Sequence, residues 1–213
     1  MILERMFSRQ WWKTTLLVVI AVAVMIRLGI WQLDRLEQRR AFNTRVESQL
    51  AESPLELAGG NLENDLYDME YRSAGASGEF DFHNQVVLRN QDWDGRLGVH
   101  LLTPLLIAGA EEALLIDRGW IPYEEYTGGN ISQYDIAGQV QVEGMLRRSQ
   151  SKPAIGGVAD AVPGPGEAPL KAWNWINLSD ISAQLPYPLL PVYMTAAPLP
   201  GEQSPPYRAE LEL

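Results

Sequence analysis

The segment Leu16 to Ile26 reads LLVVIAVAVMI, with no polar side-chain group apart from the Met25 thioether. Extended past Arg27 to Leu33, the stretch is 18 residues long. At a rise of ~1.5 Å per residue that makes about 27 Å of helix, close to the roughly 30 Å hydrocarbon core of a bilayer once Trp11 and Trp12 settle at headgroup depth. The stretch predicts a membrane-spanning helix, so the rest of the chain must fold with one end anchored. A cleavable signal peptide would open in the same way, with Arg5, Arg9 and Lys13 ahead of an apolar run. Here, however, the run passes directly into Arg27-Leu-Gly-Ile-Trp-Gln32 with no small-x-small cleavage pattern, which predicts an uncleaved anchor.

The polar end of this helix carries the first candidate site. Helical side chains lean toward the N-terminus, which aims Arg27 at the bilayer centre and makes snorkelling to the nearer interface awkward. Residues 27, 31 and 34 or 35 share one helical face. Arg27, Gly29, Trp31, Gln32 and Arg35 are therefore candidates for a surface made to meet a partner helix. The alternative is a helix that leaves the bilayer at Leu28, with Trp31 as an interfacial belt residue and Arg35 in water. Basic residues are nearly balanced on the two sides, so charge alone does not orient the anchor. A short N-terminus inside and a large domain outside a cell membrane is the expected arrangement.

Charge divides the chain. Residues 1–45 are net +5 and residues 46–213 are net −15, within a total of −10. An acidic outer domain repels phosphate backbones and anionic headgroups, so nucleic acid is excluded as its partner and lipid contact is left to the anchor. The chain has no cysteine, which removes thiol nucleophiles, thiolate metal sites and covalent haem attachment together.

Three regions follow: 1–33, a cytoplasmic N-terminus and anchor; 34–52, an amphipathic juxtamembrane helix stopped by Glu52-Ser53-Pro54; and 53–213, one β-rich domain. Strands are predicted at Tyr67 to Ser77, Gly78 to Asp81, Gln85 to Asn90, Gly98 to Leu106, Ala113 to Trp120, Gln139 to Arg147 and Leu189 to Ala196. Short strands joined by polar turns such as Asp92-Trp93-Asp94-Gly95 suggest an antiparallel β-barrel or sandwich. Residues 123–138 and 149–172 read as long loops. Asn177 to Leu185 reads as a short helix with a cap at Asn177 or Ser179. The fold class is mainly β with α: a transmembrane helix, then a barrel or sandwich with one or two short helices.

Catalytic constellations are scarce. The two histidines are His83, expected in a turn, and His100, expected half-buried and hydrogen-bonded in a strand. Asp81 and His83 fall short of the three or four ligands of a zinc site. No nucleophile elbow or phosphate loop occurs, and Glu124-Glu125 lacks a partner for acid–base work. The sequence points away from an enzyme.

The segment Ala113-Leu-Leu-Ile-Asp-Arg-Gly-Trp-Ile-Pro122 is the second candidate site. Leu114 to Ile116 suits a strand covered on both faces, Gly119 permits a close approach or a bulge, and Pro122 ends the pairing. Asp117 and Arg118 suggest either a buried ion pair fixing register or a group reserved for a partner. Trp120 completes the motif.

Together with Leu28-Gly29-x-Trp31-Gln32-Leu33-x-Arg35, that segment resembles the surfeit locus protein 1 family of cytochrome c oxidase assembly factors. Further matches run in order: Gly78-x-Phe80-Asp81, Val87-Leu88-x-Asn90, Gly98-x-His100-Leu-Leu-Thr-Pro-Leu105, Val142-x-Gly144-x-Leu146-Arg147 and Trp175-x-Asn177-Leu178. The resemblance implies a membrane-anchored factor that helps place haem a in subunit I of a haem-copper oxidase, working by binding and without turnover. It also implies partners among subunit I and other assembly factors, with no intrinsic cofactor and transient contact with haem a. Family members resembling this chain carry a second membrane helix near the C-terminus, opened by a His-Leu-x-Tyr-Ala type motif whose histidine is associated with haem a. This sequence ends at Arg208-Ala-Glu-Leu-Glu-Leu213, and no histidine follows His100. The haem-ligand role is therefore carried over to no residue, and a chain truncated before a second helix is one expectation. The competing reading is a generic anchored β-domain acting as an interaction or scaffold module.

Overall fold

Aliphatic residues run without interruption through the first part of the chain and in short, charge-punctuated bursts through the rest, and the computed structural model divides accordingly. It describes residues 11–59, 62, 65–150, 159–164, 166–198, 201 and 204–209. Two units result, Met1–Glu47 and Ser48–Leu213.

Helix α1 spans Trp12–Ala51, 40 residues, or about 60 Å. Its first half is aliphatic, and its second half is rich in Leu, Arg, Glu and Gln, all good helix formers. Ser53-Pro54 follows its end, and proline cannot continue the ladder. The anchor and the amphipathic stretch expected from residue 34 onward form one helix with no interruption at residues 33 and 34. By length and composition it is apolar enough to cross a membrane, and nothing in its apolar window is buried by protein.

Among the described residues the second unit has eight strands: β1 (Leu55–Leu57), β2 (Ser73–Phe80), β3 (Val86–Trp93), β4 (Arg96–Ile107), β5 (Ala113–Pro122), β6 (Gln139–Arg148), β7 (Ala172–Trp173) and β8 (Leu189–Ala196). Pairing runs β2-β6-β8-β5-β4 and returns from β4 to β2, so five strands close a barrel. Strand β4 is long enough to serve two neighbours along one edge: residues 96–102 pair with β3 and residues 105–107 with β2. The barrel expected from the sequence is present. Its pairing is not wholly antiparallel, because β5–β8 and the outlying β1–β2 and β3–β7 pairs are parallel.

Alternation along the strands explains the core. Ala76, Phe80, Leu105, Leu114, Ile116, Leu146, Val192 and Met194 fill one cluster, the barrel interior. Leu102, Leu115 and Tyr193, on the opposite face of their strands, pack with Trp173, Ile176, Leu178 and Ile181 in a second cluster. Strand β5 is thus covered on both faces, and all ten of its residues are buried. Strand β6 keeps one wet face: Gln139, Gln141 and Glu143 are exposed while Val140 and Val142 pack inward. Burial of each large aliphatic side chain is worth about 1.5–3 kcal/mol relative to exposure.

Two expectations need correction in detail. The strand predicted from Tyr67 begins only at Ser73, because Leu66–Met69 forms a 3₁₀ turn and Tyr71 takes a positive φ of 73°. The two tyrosine rings there serve as platforms for arginines, Tyr67 under Arg148 and Tyr71 under Arg147. The 123–138 loop contains helix α2 (Tyr123–Thr127) and a 3₁₀ turn at Ile131–Tyr134. Of the 149–172 loop, residues 151–158 and 165 lie outside the described residues. Its residue Asp160 is tied down by the Asn174 backbone N–H at 2.9 Å and by Arg89 at 3.3 Å. Helix α3 (Leu178–Ser182) is capped by Asn177, whose side chain accepts from the Asp180 N–H.

Candidate functional site

The residues singled out on α1 are exposed or nearly so. Arg27, Gln32 and Arg35 are exposed, Trp31 is 57% exposed, and Gly29 has nothing within 4 Å of where a Cβ would stand. Arg27, Trp31 and Arg35 follow one another along one face of the helix, and Gly29 and Gln32 lie off that line.

The residues singled out on β5 are the reverse. Opposite His100, Leu101 and Leu102 of β4, strand β5 presents Trp120, then two residues, then Asp117. Arg118 and Gly119 therefore oppose Leu101 alone, a β-bulge, and Gly119 supplies the positive φ of 118°. A Cβ on Gly119 would also stand 2.7 Å from the Tyr207 carbonyl oxygen. Both roles expected of Gly119, bulge and close approach, are met at once. Across the pair, Gly98 lies against Trp120, where a Cβ would meet the indole at 2.2 Å.

Trp120 is fully buried. Its backbone N–H and C=O bond Tyr207 at 2.8 Å each, and its indole N–H donates to the Gln91 carbonyl at 3.2 Å. Its ring lies 6.3 Å from Trp93 and 6.0 Å from Tyr207, which in turn stacks on Trp93 at 5.8 Å. Arg208 adds a bond from Nε to the Arg118 carbonyl at 3.0 Å. The Arg-Gly-Trp motif thus seats the segment around Tyr207 on the barrel wall. Pro122 is the last residue of β5, paired with Gly98, and α2 begins directly after it.

Asp117 and Arg118 are both buried, at 6% and 3% exposure, and do not pair with each other. Of the two expectations for them, the mutual ion pair is not formed: two separate arrangements stand in its place, because neighbouring strand residues point to opposite faces. Asp117 holds His100, whose Nδ1 lies 2.9 Å from both carboxylate oxygens, and accepts the Gly119 N–H at 3.1 Å. Burial lowers the imidazole pKa, but the Asp117 charge and hydrogen bond raise it, and the net direction is upward. Arg118 follows Leu114 and Ile116 on the interior face. Its guanidinium donates to Gln85 Oε1 at 3.2 Å and to the Tyr134 carbonyl, and it lies 5.0 Å from the rings of both Phe80 and Phe82. Gln85 Oε1 also accepts from Thr103 at 2.6 Å. Burial pushes the Arg118 pKa down to about 10, against the pull of Asp135 and with the push of Arg208.

Several members of this arrangement carry no local sequence signal: Gln85 and Tyr134 reach Arg118, and Tyr207 reaches Trp120, from distant elements. His83 is exposed in the turn expected for it, and its carbonyl accepts Lys171 at 2.8 Å. Asp81 bonds the Tyr187 hydroxyl at 2.6 Å instead of facing a metal. Burial raises the Asp81 pKa, bonds from Tyr187 and Asn84 lower it, and the net direction is downward. Among the described residues no group of three or more His, Cys, Asp or Glu is placed to hold a metal. Neither histidine is assigned as a haem ligand.

Fold and site together define a class: a small closed β-barrel following one long apolar helix, with a buried Asp-Arg-Gly-Trp bulge at its centre. Within that class the chain belongs to the SURF1 family, whose model matches residues 19–211. It is similar to a SURF1-like protein of Monosiga brevicollis, 27% identical over 166 residues, covering 73% of this chain and 60% of that one. The surfeit locus protein 1 of Mus musculus is 25% identical over 144 residues, covering 61% of this chain and 46% of the mouse protein. The cytochrome oxidase assembly protein SHY1 of Saccharomyces cerevisiae is 28% identical over 123 residues, covering 57% and 31% respectively. The chain spans about half the length of the curated relatives it matches.

Proposed function

We propose that this chain is an assembly factor for cytochrome c oxidase, anchored by α1 in the cell membrane with the barrel on the outer side. It assists haem a insertion or another step in the maturation of subunit I, and it works by binding, in contact with subunit I or other assembly factors. The observation that carries this reading is the family match over residues 19–211, joined to a yeast relative named as a cytochrome oxidase assembly protein. The chemistry of the site is compatible with it. The Asp117 carboxylate is engaged with His100 and the Gly119 N–H, and Arg118 with Gln85 and Tyr134. These groups hold a shape.

Deletion of the gene should reduce the haem a absorbance and oxidase activity of membranes, with restoration by the full chain. Unchanged spectra and activity would refute the proposal. Restoration by a chain carrying Trp31→Leu and Gln32→Leu would leave α1 as an anchor alone. Failure of that variant, at normal abundance in the membrane, would place a partner helix on the Arg27, Trp31 and Gln32 face.

A further inference from the structure

Two tryptophan positions bracket the apolar part of α1. From Trp12 to Trp31 the helix rises through 19 residues, about 28 Å at ~1.5 Å each, which matches the roughly 30 Å hydrocarbon core with an indole at each edge. Arg27 stands four residues inside that frame, about 6 Å short of the Trp31 edge. It is exposed on the helix surface, and its stem leans back toward Trp12, to greater depth.

A guanidinium at that depth needs a counter-charge, and α1 does not provide one. The residues one turn away on either side are Ala23, Val24, Ile30 and Trp31. No Asp or Glu occurs between Glu4 and Asp34, and Asp34 stands about 10 Å further along the axis. Lipid phosphate is a poor substitute. To reach it the stem must turn against its lean and cross the last ~6 Å of hydrocarbon and then a headgroup layer of about 5–7 Å, roughly two helical turns. Charged side chains within a membrane otherwise face a partner or a water-filled cavity. Nothing in the apolar window of α1 is buried by protein, and among the described residues no second helix is long and apolar enough to lie beside it in a bilayer. A second copy of this chain supplies no opposite charge either, because parallel copies set Arg27 against Arg27.

We propose that Arg27 is the docking point for a transmembrane helix of another protein that carries an Asp or Glu side chain at the same depth, with Val24 and Trp31 packing on either side of the pair. The proposal rests on the reading of α1 as a membrane-spanning anchor, and it names the chemistry of the partner helix considered above. The chain has no cysteine, so a single donor fluorophore can be set at Glu52→Cys. The full chain is reconstituted at pH 8 in phosphatidylcholine vesicles with acceptor-labelled transmembrane peptides of Leu and Ala flanked by Lys. The peptides differ in one residue: Glu at the depth of Arg27, Gln at that depth, or Glu two turns nearer the Trp12 edge. Energy transfer should show the first associating about tenfold more tightly than the other two, the scale of polar contacts between membrane helices. Arg27→Lys should keep most of that preference. Arg27→Leu should abolish it, while carbonate-resistant insertion and the melting temperature of the barrel stay as they are. In a strain lacking the gene, Arg27→Leu at normal membrane abundance should fail to restore oxidase activity that the wild-type chain restores. Equal association of the Glu and Gln peptides, a preference that survives Arg27→Leu, or full restoration by Arg27→Leu overturns the proposal. Loss of the preference when phosphatidylglycerol replaces part of the phosphatidylcholine also overturns it, because the counter-charge is then a lipid phosphate. The underlying readings fail separately: carbonate would extract the wild-type chain if α1 were no anchor, and the wild-type chain would restore nothing if it were no assembly factor.

Discussion

The aliphatic residues of α1 and those of the barrel are chemically alike and physically opposite. Val22 and Met25 are 48% and 69% exposed, whereas Leu114 and Ile116 are fully buried. The difference does not lie in local preference, since Val-Val-Ile-Ala-Val-Ala-Val is richer in β-branched residues than β5 and yet is helical. It lies in length and punctuation. An apolar run long enough for a bilayer satisfies its own backbone only as a helix, whereas runs of four or five residues broken by Asp, Arg and Gly can satisfy theirs by pairing with neighbours. The same hydrophobic surface is covered by protein in the barrel and left uncovered by protein along α1.

Substitutions that act on one region and spare the other would break or sharpen that contrast. The largest effect is expected from Trp120→Ala, which empties a fully buried site and removes the stack with Trp93 and Tyr207. A loss of about 3–5 kcal/mol is expected in chemical denaturation of the barrel, with membrane association untouched. Val24→Asp is the mirror experiment. It places a charge near the middle of the apolar run, at a cost of about 2.5–3.5 kcal/mol for insertion, and should move protein out of the carbonate-resistant membrane fraction without changing the barrel's melting temperature. Gly119→Val should cost about 1–3 kcal/mol through backbone strain at a positive φ. It should also loosen the segment around Tyr207, visible as faster amide exchange at Tyr207 and Trp120. The smallest effect belongs to the His100 and Asp117 pair. Because the folded pKa of His100 lies above its usual value, the pair's contribution is fully present below about pH 6.5 and fades as pH rises through the folded value. His100→Asn should flatten that slope in a stability profile between pH 5 and 9. A variant that keeps the full slope would assign it to another group.

Legibility in the sequence followed the range of the interactions. The double coverage of β5, the wet face of β6 and the bulge at Gly119 were readable because alternation and glycine are local signals. The Asn177 cap was readable for the same reason. Strand β1, with three residues, is too short for any period to register, and the tyrosines before Ser73 imitate a strand because aromatic side chains serve as well in turns beneath arginines. The partners of Arg118 lie 33 and 16 positions away, at Gln85 and Tyr134. No local pattern announces such meetings. The family motifs were legible because they are ordered strings of residues, whereas the closure of the ring by β8 between β5 and β6 exists only once the strands are assembled.

The place of β8 in the ring has a consequence for how the protein is made. Residues 189–196 are the piece that joins β5 to β6, so a nascent chain that has delivered β1 to β7 holds an open sheet with two bare edges. One of those edges is β5, buried along its whole length in the finished domain, and unpaired apolar edges recruit other chains. Most of the domain must therefore wait, exposed, for its last strand. During that interval the chain is a client for chaperones on whichever side of the membrane it emerges.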